Sequence, residues 1–201
     1  MDYESPQKQL IDSYKYELIK REKKCSNSRF DILFDHVITP NNEEIKDYLI
    51  VKPKICKQDK TVGVCVVPIF KKKFCLMKGW RHQFKEFIYQ APAGFVEKGE
   101  EPFETAVREL KEETSLLCEP ENLISLGSFI PDSGLIEGRV ALFLALNCKT
   151  SSSKIENEIG SSKLFFIKRK SIKELIVKEK NIGGSTLVTL LRSILYLDNQ
   201  F

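Results

Sequence analysis

GFVEKGEEPFETAVRELKEETSL, running from Gly94 to Leu116, is the segment from which the rest of the chain can be read. From about Pro102 onward it has the composition and spacing of a helix. Residues three and four apart on a helix share one face, so Glu109, Glu112 and Glu113 project together beside Arg108. Carboxylates so close repel one another unless a cation lies between them. With no Cys or His at hand, oxygen donors of this kind favour a hard ion, Mg²⁺ or Mn²⁺. Taken alone, RELKEE reads more readily as a solvated face with charge pairs to Arg108 and Lys111 than as a metal site.

The flanking residues separate these two readings. Gly94 stands six residues before Glu100, and Glu100 eight before Arg108, with Leu110 and Leu116 at the apolar positions. The segment closely resembles the box GX5EX7REUXEEXGU of the Nudix hydrolases, in which U is an apolar residue. One position departs: Ser115 stands where the box has its final Gly. A Gly there would take a left-handed C-cap conformation. Ser adopts it at a cost of about 1–2 kcal/mol.

The chain has 201 residues and a formal charge of +4, enough for one domain with a full core or one domain with an extra N-terminal piece. Lys71–Lys73 and Lys168–Lys170 are basic runs without interleaved aromatics, so they read as solvated turns rather than nucleic-acid patches. The six cysteines are scattered with no CxxC, and only His36 and His82 are present, which argues against a zinc site. No secretory apolar region opens the chain and no apolar run is long enough to span a bilayer. These features lead us to expect a reduced, cytoplasmic protein with mostly buried cysteines and no membrane partner.

Ser5-Pro6 opens a helix to about Tyr14, followed by a strand through 16–23; a continuous helix is the competing reading. Strands are expected over 29–39, 47–51, 61–70, 74–80, 87–91, 123–130, 140–147 and 163–168. Pro92-Ala93-Gly94 reads as a tight turn, and Ser171 with Glu174 as the capping box of a helix over 171–178. A final amphipathic helix spans 185–197. The class is α+β, a mixed sheet with helices on its faces. The resemblance implies a Nudix-type α/β/α sandwich over 56–201. It also implies an N-terminal β extension over 1–55, of the kind that forms a homodimer in ADP-ribose pyrophosphatases.

Markers outside the box resemble that same group. Arg81-His82 precedes Gly94 in GWRHQFKEFIYQAPAG, similar to QYRH…WELPAG, and an Arg there suits a bidentate grip on a diphosphate. Tyr89 and Gln90 stand where the group has Trp and Glu. Pro131 and the following Ser133-Gly134-Leu135-Ile136-Glu137 resemble its SPGxxxE loop. Glu156 to Glu158 resembles its ENED-like loop.

The resemblance implies the following roles. Two or more Mg²⁺ (or Mn²⁺) ions are held by Glu109, Glu112, Glu113 and the Ala93 carbonyl, with Glu158 as a further ligand. Glu100 pairs with Arg108, Gly94 is structural, and Arg108 orients the carboxylates. The base is Glu156 or Glu158, with Glu137 third. Substrate contacts fall to Arg81, Tyr89, Gln90, Ala93, Pro131 and Gly134, with Phe30, Phe34 or Tyr89 stacking on a base. The activity implied is hydrolysis of ADP-ribose or a related nucleoside diphosphate sugar to a nucleoside monophosphate and a sugar phosphate. Other Nudix substrates, GDP-mannose or a dinucleoside polyphosphate, stand as alternatives. A non-catalytic ADP-ribose sensor is disfavoured because all the box carboxylates are present.

Overall fold

The computed structural model describes residues 14–151 and 164–199. These divide into two compact units, one of residues 14–54 with 132–137, the other of residues 55–131 with 138–199. The helix expected over 5–14 lies, but for Tyr14, outside the described residues, as do Glu156 and Glu158.

The first unit is an antiparallel sheet of β1 (Glu17–Ser26), β2 (Phe30–Ile38) and β3 (Glu44–Pro53), in that order. β2 alternates, burying Leu33, Asp35 and Val37, the two-residue period of a half-covered strand. The buried Asp35 carboxylate accepts two bonds of 2.7 Å from the Arg21 guanidinium, so that buried charge is paired. Residues 132–137 join this unit through Val51, whose amide donates to Leu135 O and whose carbonyl accepts from the Glu137 amide.

In the second unit β4 (Thr61–Phe70), β5 (Lys73–Arg81), β9 (Leu123–Phe129), β10 (Arg139–Ala145) and β12 (Phe165–Lys168) are ordered β12-β5-β4-β10-β9. β6 (Glu86–Gln90) joins β5, and β7 (Ala93–Phe95) joins β4. Among the described residues, only β4 and β10 run parallel in this sheet. Three helices cover it: α1 (Pro102–Thr114), α2 (Arg169–Lys178) and α3 (Gly184–Asp198). β4 is apolar at nearly every position because both its faces are covered. Val64 and Val66 pack with Ala106 and Leu110 of α1. Cys65 and Val67 pack with Ile172 of α2 and Leu190 and Ile194 of α3. The mixed sheet between helical layers is the α+β arrangement expected.

Three local readings are corrected. Ala93-Gly94 is a short strand paired with Cys65 and Val64, not a turn. Helix α2 starts at Arg169 with Lys168 as N-cap, and no side-chain cap involves Ser171. Cys25 and Cys56 are exposed, while Cys65, Cys75 and Cys148 are buried and Cys118 lies between. A two-stranded ladder of β8 (Leu116–Leu117) and β11 (Lys149–Thr150) was not anticipated from the sequence, being too short for any periodicity to register.

Candidate active site

Helix α1 is built to present its carboxylates. Pro102 occupies its first turn, where no intrahelical amide donor is needed. Glu101 and Glu104 form a reciprocal capping box; the Glu104 carboxylate accepts from the Glu101 amide at 2.9 Å. That box is legible in the sequence as an acid three residues before another at a helix start. Buried Ala106 and Leu110 anchor the inner face of the helix. At the other end Ser115 takes φ 52°, and its amide reaches Lys111 O. The left-handed exit expected of the missing Gly is therefore kept by Ser.

Arg108 is the hub. Its Nε and Nη2 donate to the two Glu100 oxygens at 2.9 and 3.1 Å. Nη1 donates to Glu109 Oε1 at 2.7 Å and to Glu112 Oε2 at 3.1 Å. A further bond from Nη2 meets Phe95 O at 3.2 Å. One guanidinium thus ties the pre-helix loop to two box carboxylates, a task its planar fork suits and an ammonium would not. Glu100 also accepts from the Thr105 hydroxyl at 2.8 Å and the Glu97 amide at 3.2 Å. Arg108, above all, and then these bonds pull the Glu100 carboxyl down to about 2. The Arg108 pKa is raised in turn, with Glu100 the largest cause.

Glu109 is nearly buried, and Gly94 is the reason it fits. A Cβ on Gly94 would lie 1.8 Å from Glu109 Oε1, so any side chain there displaces that carboxylate. Glu113, one turn on, lies against the same strand and accepts from the Ala93 amide at 3.0 Å. Among the described residues, no three carboxylate, imidazole or thiol groups converge at ligand distance. The charge between Glu109 and Glu112 is offset by Arg108, and the pairing of β7 with β4 sets where the Ala93 backbone lies relative to Glu113.

The specificity candidates fall into two groups. At the end of β5, Arg81 donates through Nη2 to Gln90 Oε1. Gln90 is buried there with its side chain over Gly79, which is diagonal to it in the β5–β6 ladder; a Cβ on Gly79 would come within 2.5 Å of the Gln90 amide nitrogen. Tyr89 packs edge-on to Phe165 with ring centroids 5.9 Å apart, and Lys78 Nζ lies 4.3 Å from the Tyr89 centroid. Pro131 is exposed just after β9. Gly134, Glu137, Phe30 and Phe34 belong to the first unit. There the Gly134 amide donates to Asp132 Oδ1 at 2.9 Å, and Glu137 lies within electrostatic reach of Arg21. Lys24 Nζ sits 5.5 Å from the Phe34 ring centroid.

Comparison with known proteins places this geometry. The NUDIX domain family matches residues 59–166, more than half of the chain. The chain belongs to the Nudix family. This Nudix chain is 30% identical over 175 residues to the methanol dehydrogenase activator of Bacillus methanolicus, covering 85% of this chain and 87% of that one. It is 29% identical over 147 residues to the ADP-ribose pyrophosphatase of Bacillus subtilis strain 168, covering 73% and 74% of the two chains. A crystal structure of an ADP compounds hydrolase superposes with a TM-score of 0.77 over 92% of this chain and 96% of that one, at 15% identity. This Nudix protein is a pyrophosphohydrolase. No helix among its described residues is long and apolar enough to cross a membrane.

Proposed function

We propose that this enzyme hydrolyses the diphosphate of ADP-ribose, or of a closely related nucleoside diphosphate sugar, in a Mg²⁺-dependent reaction. The observation that carries the reading is the Arg108 hub, which holds Glu100, Glu109 and Glu112 together beside a Gly94 that only glycine can occupy. The Bacillus subtilis relative named for ADP-ribose supports the choice of substrate.

The donor set suits hard divalent ions, since Glu109, Glu112, Glu113 and the Ala93 carbonyl offer oxygen alone. Such ions supply charge neutralisation on the diphosphate and a water acidic enough to lose its proton near neutral pH. The chain's own contribution is positional. Arg108 fixes the facing of the carboxylates, and Glu100 fixes Arg108. Arg81, oriented by Gln90, offers a planar guanidinium to a phosphate. A carboxylate from Glu156, Glu158 or Glu137 takes the proton as water attacks phosphorus.

Residues 1–55 are assigned to an N-terminal extension and 56–201 to the catalytic domain, with the extension mediating a homodimer. Exposed Leu18, Ile19, Tyr48 and Leu49 in the first unit support that role. The enzyme is assigned to the cytoplasm, in keeping with its six unpaired cysteines.

The test is a phosphate-coupled assay on ADP-ribose, GDP-mannose, UDP-glucose and a dinucleoside tetraphosphate, each with Mg²⁺ and with chelator. The expected outcome is chelator-sensitive turnover of ADP-ribose well above the others. Preference for another substrate overturns the specificity and points to the Arg81–Gln90 pair, where this chain departs from Glu. Binding of ADP-ribose without turnover by folded protein overturns the catalytic reading in favour of a sensor.

A further inference from the structure

The β8–β11 ladder pairs Leu116 with Thr150 and Leu117 with Lys149. Carrying the same register one step further sets Cys118 opposite Cys148. The hydrogen bonds fix which kind of pair this is. Ser151 N donates to Ser115 O at 2.8 Å, so 115/151 is a hydrogen-bonded pair; two positions along, 117/149 is hydrogen-bonded again, and three positions along, 118/148 is a non-hydrogen-bonded pair. The Cys148 amide accordingly points away from Cys118 and donates to Ile69 O at 3.0 Å. Non-hydrogen-bonded pairs bring their Cα atoms to about 4.5 Å with side chains facing each other, inside the range that a disulfide spans.

The side chains follow. The Cys118 and Cys148 thiols lie within hydrogen-bond reach of one another. Cys118 Sγ also donates to Leu146 O at 3.3 Å, and Cys148 Sγ to Ala145 O at 3.3 Å. The two differ in access: Cys148 is buried in the α1-side core, and Cys118 lies at its edge, half-buried. They differ in acidity as well. The interaction between the two thiols draws the Cys118 pKa down, while that interaction and burial push Cys148 up. A reachable sulfur that ionises beside a sheltered thiol is the arrangement of an attacking and a resolving cysteine.

We propose that Cys118 and Cys148 form a reversible intramolecular disulfide, with Cys118 as the attacking and Cys148 as the resolving thiol and a small organic disulfide as oxidant. In the first step the Cys118 thiolate attacks one sulfur of the small disulfide. A mixed disulfide forms, and one small thiolate leaves and takes up the proton Cys118 lost. In the second step Cys148, losing its proton, attacks the Cys118 sulfur and displaces the second small thiolate, which takes up that proton. The two cysteines are together oxidised by two electrons, and the small disulfide is reduced to two thiols. The same ladder holds Ser115, the left-handed exit residue of the Glu-bearing helix, so the bond covalently closes the strap that ends α1.

The test uses the full chain in its native state with bis(2-hydroxyethyl) disulfide, chosen neutral because Glu119 and Glu121 lie near Cys118. Unreduced digestion and mass mapping are expected to recover a Cys118–Cys148 linked peptide that dithiothreitol abolishes. Exposed Cys25 and Cys56 are expected to carry simple mixed disulfides. Cys148→Ser is expected to trap the adduct on Cys118, whereas Cys118→Ser leaves Cys148 as a thiol. Oxidation is expected to raise the Tm of the parent by about 5 °C or more, with no such rise in either variant. The proposal is overturned if Cys25 and Cys56 are labelled while both ladder cysteines stay thiols. It is equally overturned if Cys118 in the parent keeps a stable adduct beside an unreacted Cys148. Mapping of the parent decides the matter even where a variant fails to fold.

Discussion

Strands β1 and β4 are each ten residues long and meet opposite environments. β1, ELIKREKKCS, is exposed along its whole length at the edge of the three-stranded sheet. β4, TVGVCVVPIF, buries its first eight residues at the centre of the larger sheet. Hydrogen bonding does not distinguish them, since each is laddered to a neighbour. Covering does. Helical layers lie on both faces of β4, and burial of each valine there contributes about 1.5–3 kcal/mol. β1 keeps a lysine-rich edge of the sort that discourages unplanned strand addition, and its apolar residues Leu18 and Ile19 remain open to solvent. The larger unit therefore carries the stability against which a catalytic constellation can be held rigid, and the smaller offers surface.

The comparison breaks most sharply at the box carboxylates. Glu112→Gln or Glu113→Gln is expected to lower kcat about a thousandfold or more with the circular dichroism spectrum unchanged; full activity in either removes the chemistry from this helix. Next, Gly94→Ala is expected to cost about a hundredfold in kcat, because its Cβ would stand 1.8 Å from Glu109 Oε1 and push that carboxylate aside. Stability measurements sharpen the contrast between the units. Leu110→Ala in the α1 core is expected to lose about 2–5 kcal/mol in urea unfolding. Leu18→Ala in β1 is expected to stay within about 0.5 kcal/mol while weakening self-association in sedimentation equilibrium. Equal losses at the two positions would show that β1 is buried in solution.

Glu100→Gln is read against pH. Glu100 is held at about 2, below the ordinary 4.5, chiefly by Arg108. The stability it contributes is complete above about 4.5 and is lost as pH falls through about 2. Parent and variant are therefore expected to differ near neutral pH and to converge on acidification across that window. A difference that persists below pH 2 would assign the effect to packing rather than to ionisation.

Legibility followed the range of the interaction. The helix at Pro102, the two-sided strand 61–70 and the alternation around Leu33 to Val37 are periodic signals confined to one element, and all appear where the sequence places them. The Glu100–Arg108 pair was legible because the box spacing brings its two ends to one loop–helix junction. Ala93-Gly94 reads as a turn in the sequence because its strand character comes from pairing with Cys65 and Val64, far away in sequence. The Ser171 hydroxyl matches the cap pattern, but the backbone is already helical from Arg169.

By itself the sequence determined the Glu-bearing helix, the buried central strand and the membership these imply, since apolar period and motif spacing are local properties of the chain. Only the tertiary structure decided which neighbours those elements keep. It set Gln90 into the space beside Gly79 against Arg81, joined residues 132–137 to the three-stranded sheet, and brought Cys118 and Cys148 to the same end of the β8–β11 ladder. Each of these joins residues distant in the chain, and such contacts form only when packing of the whole offsets the entropy of closing the loops between them.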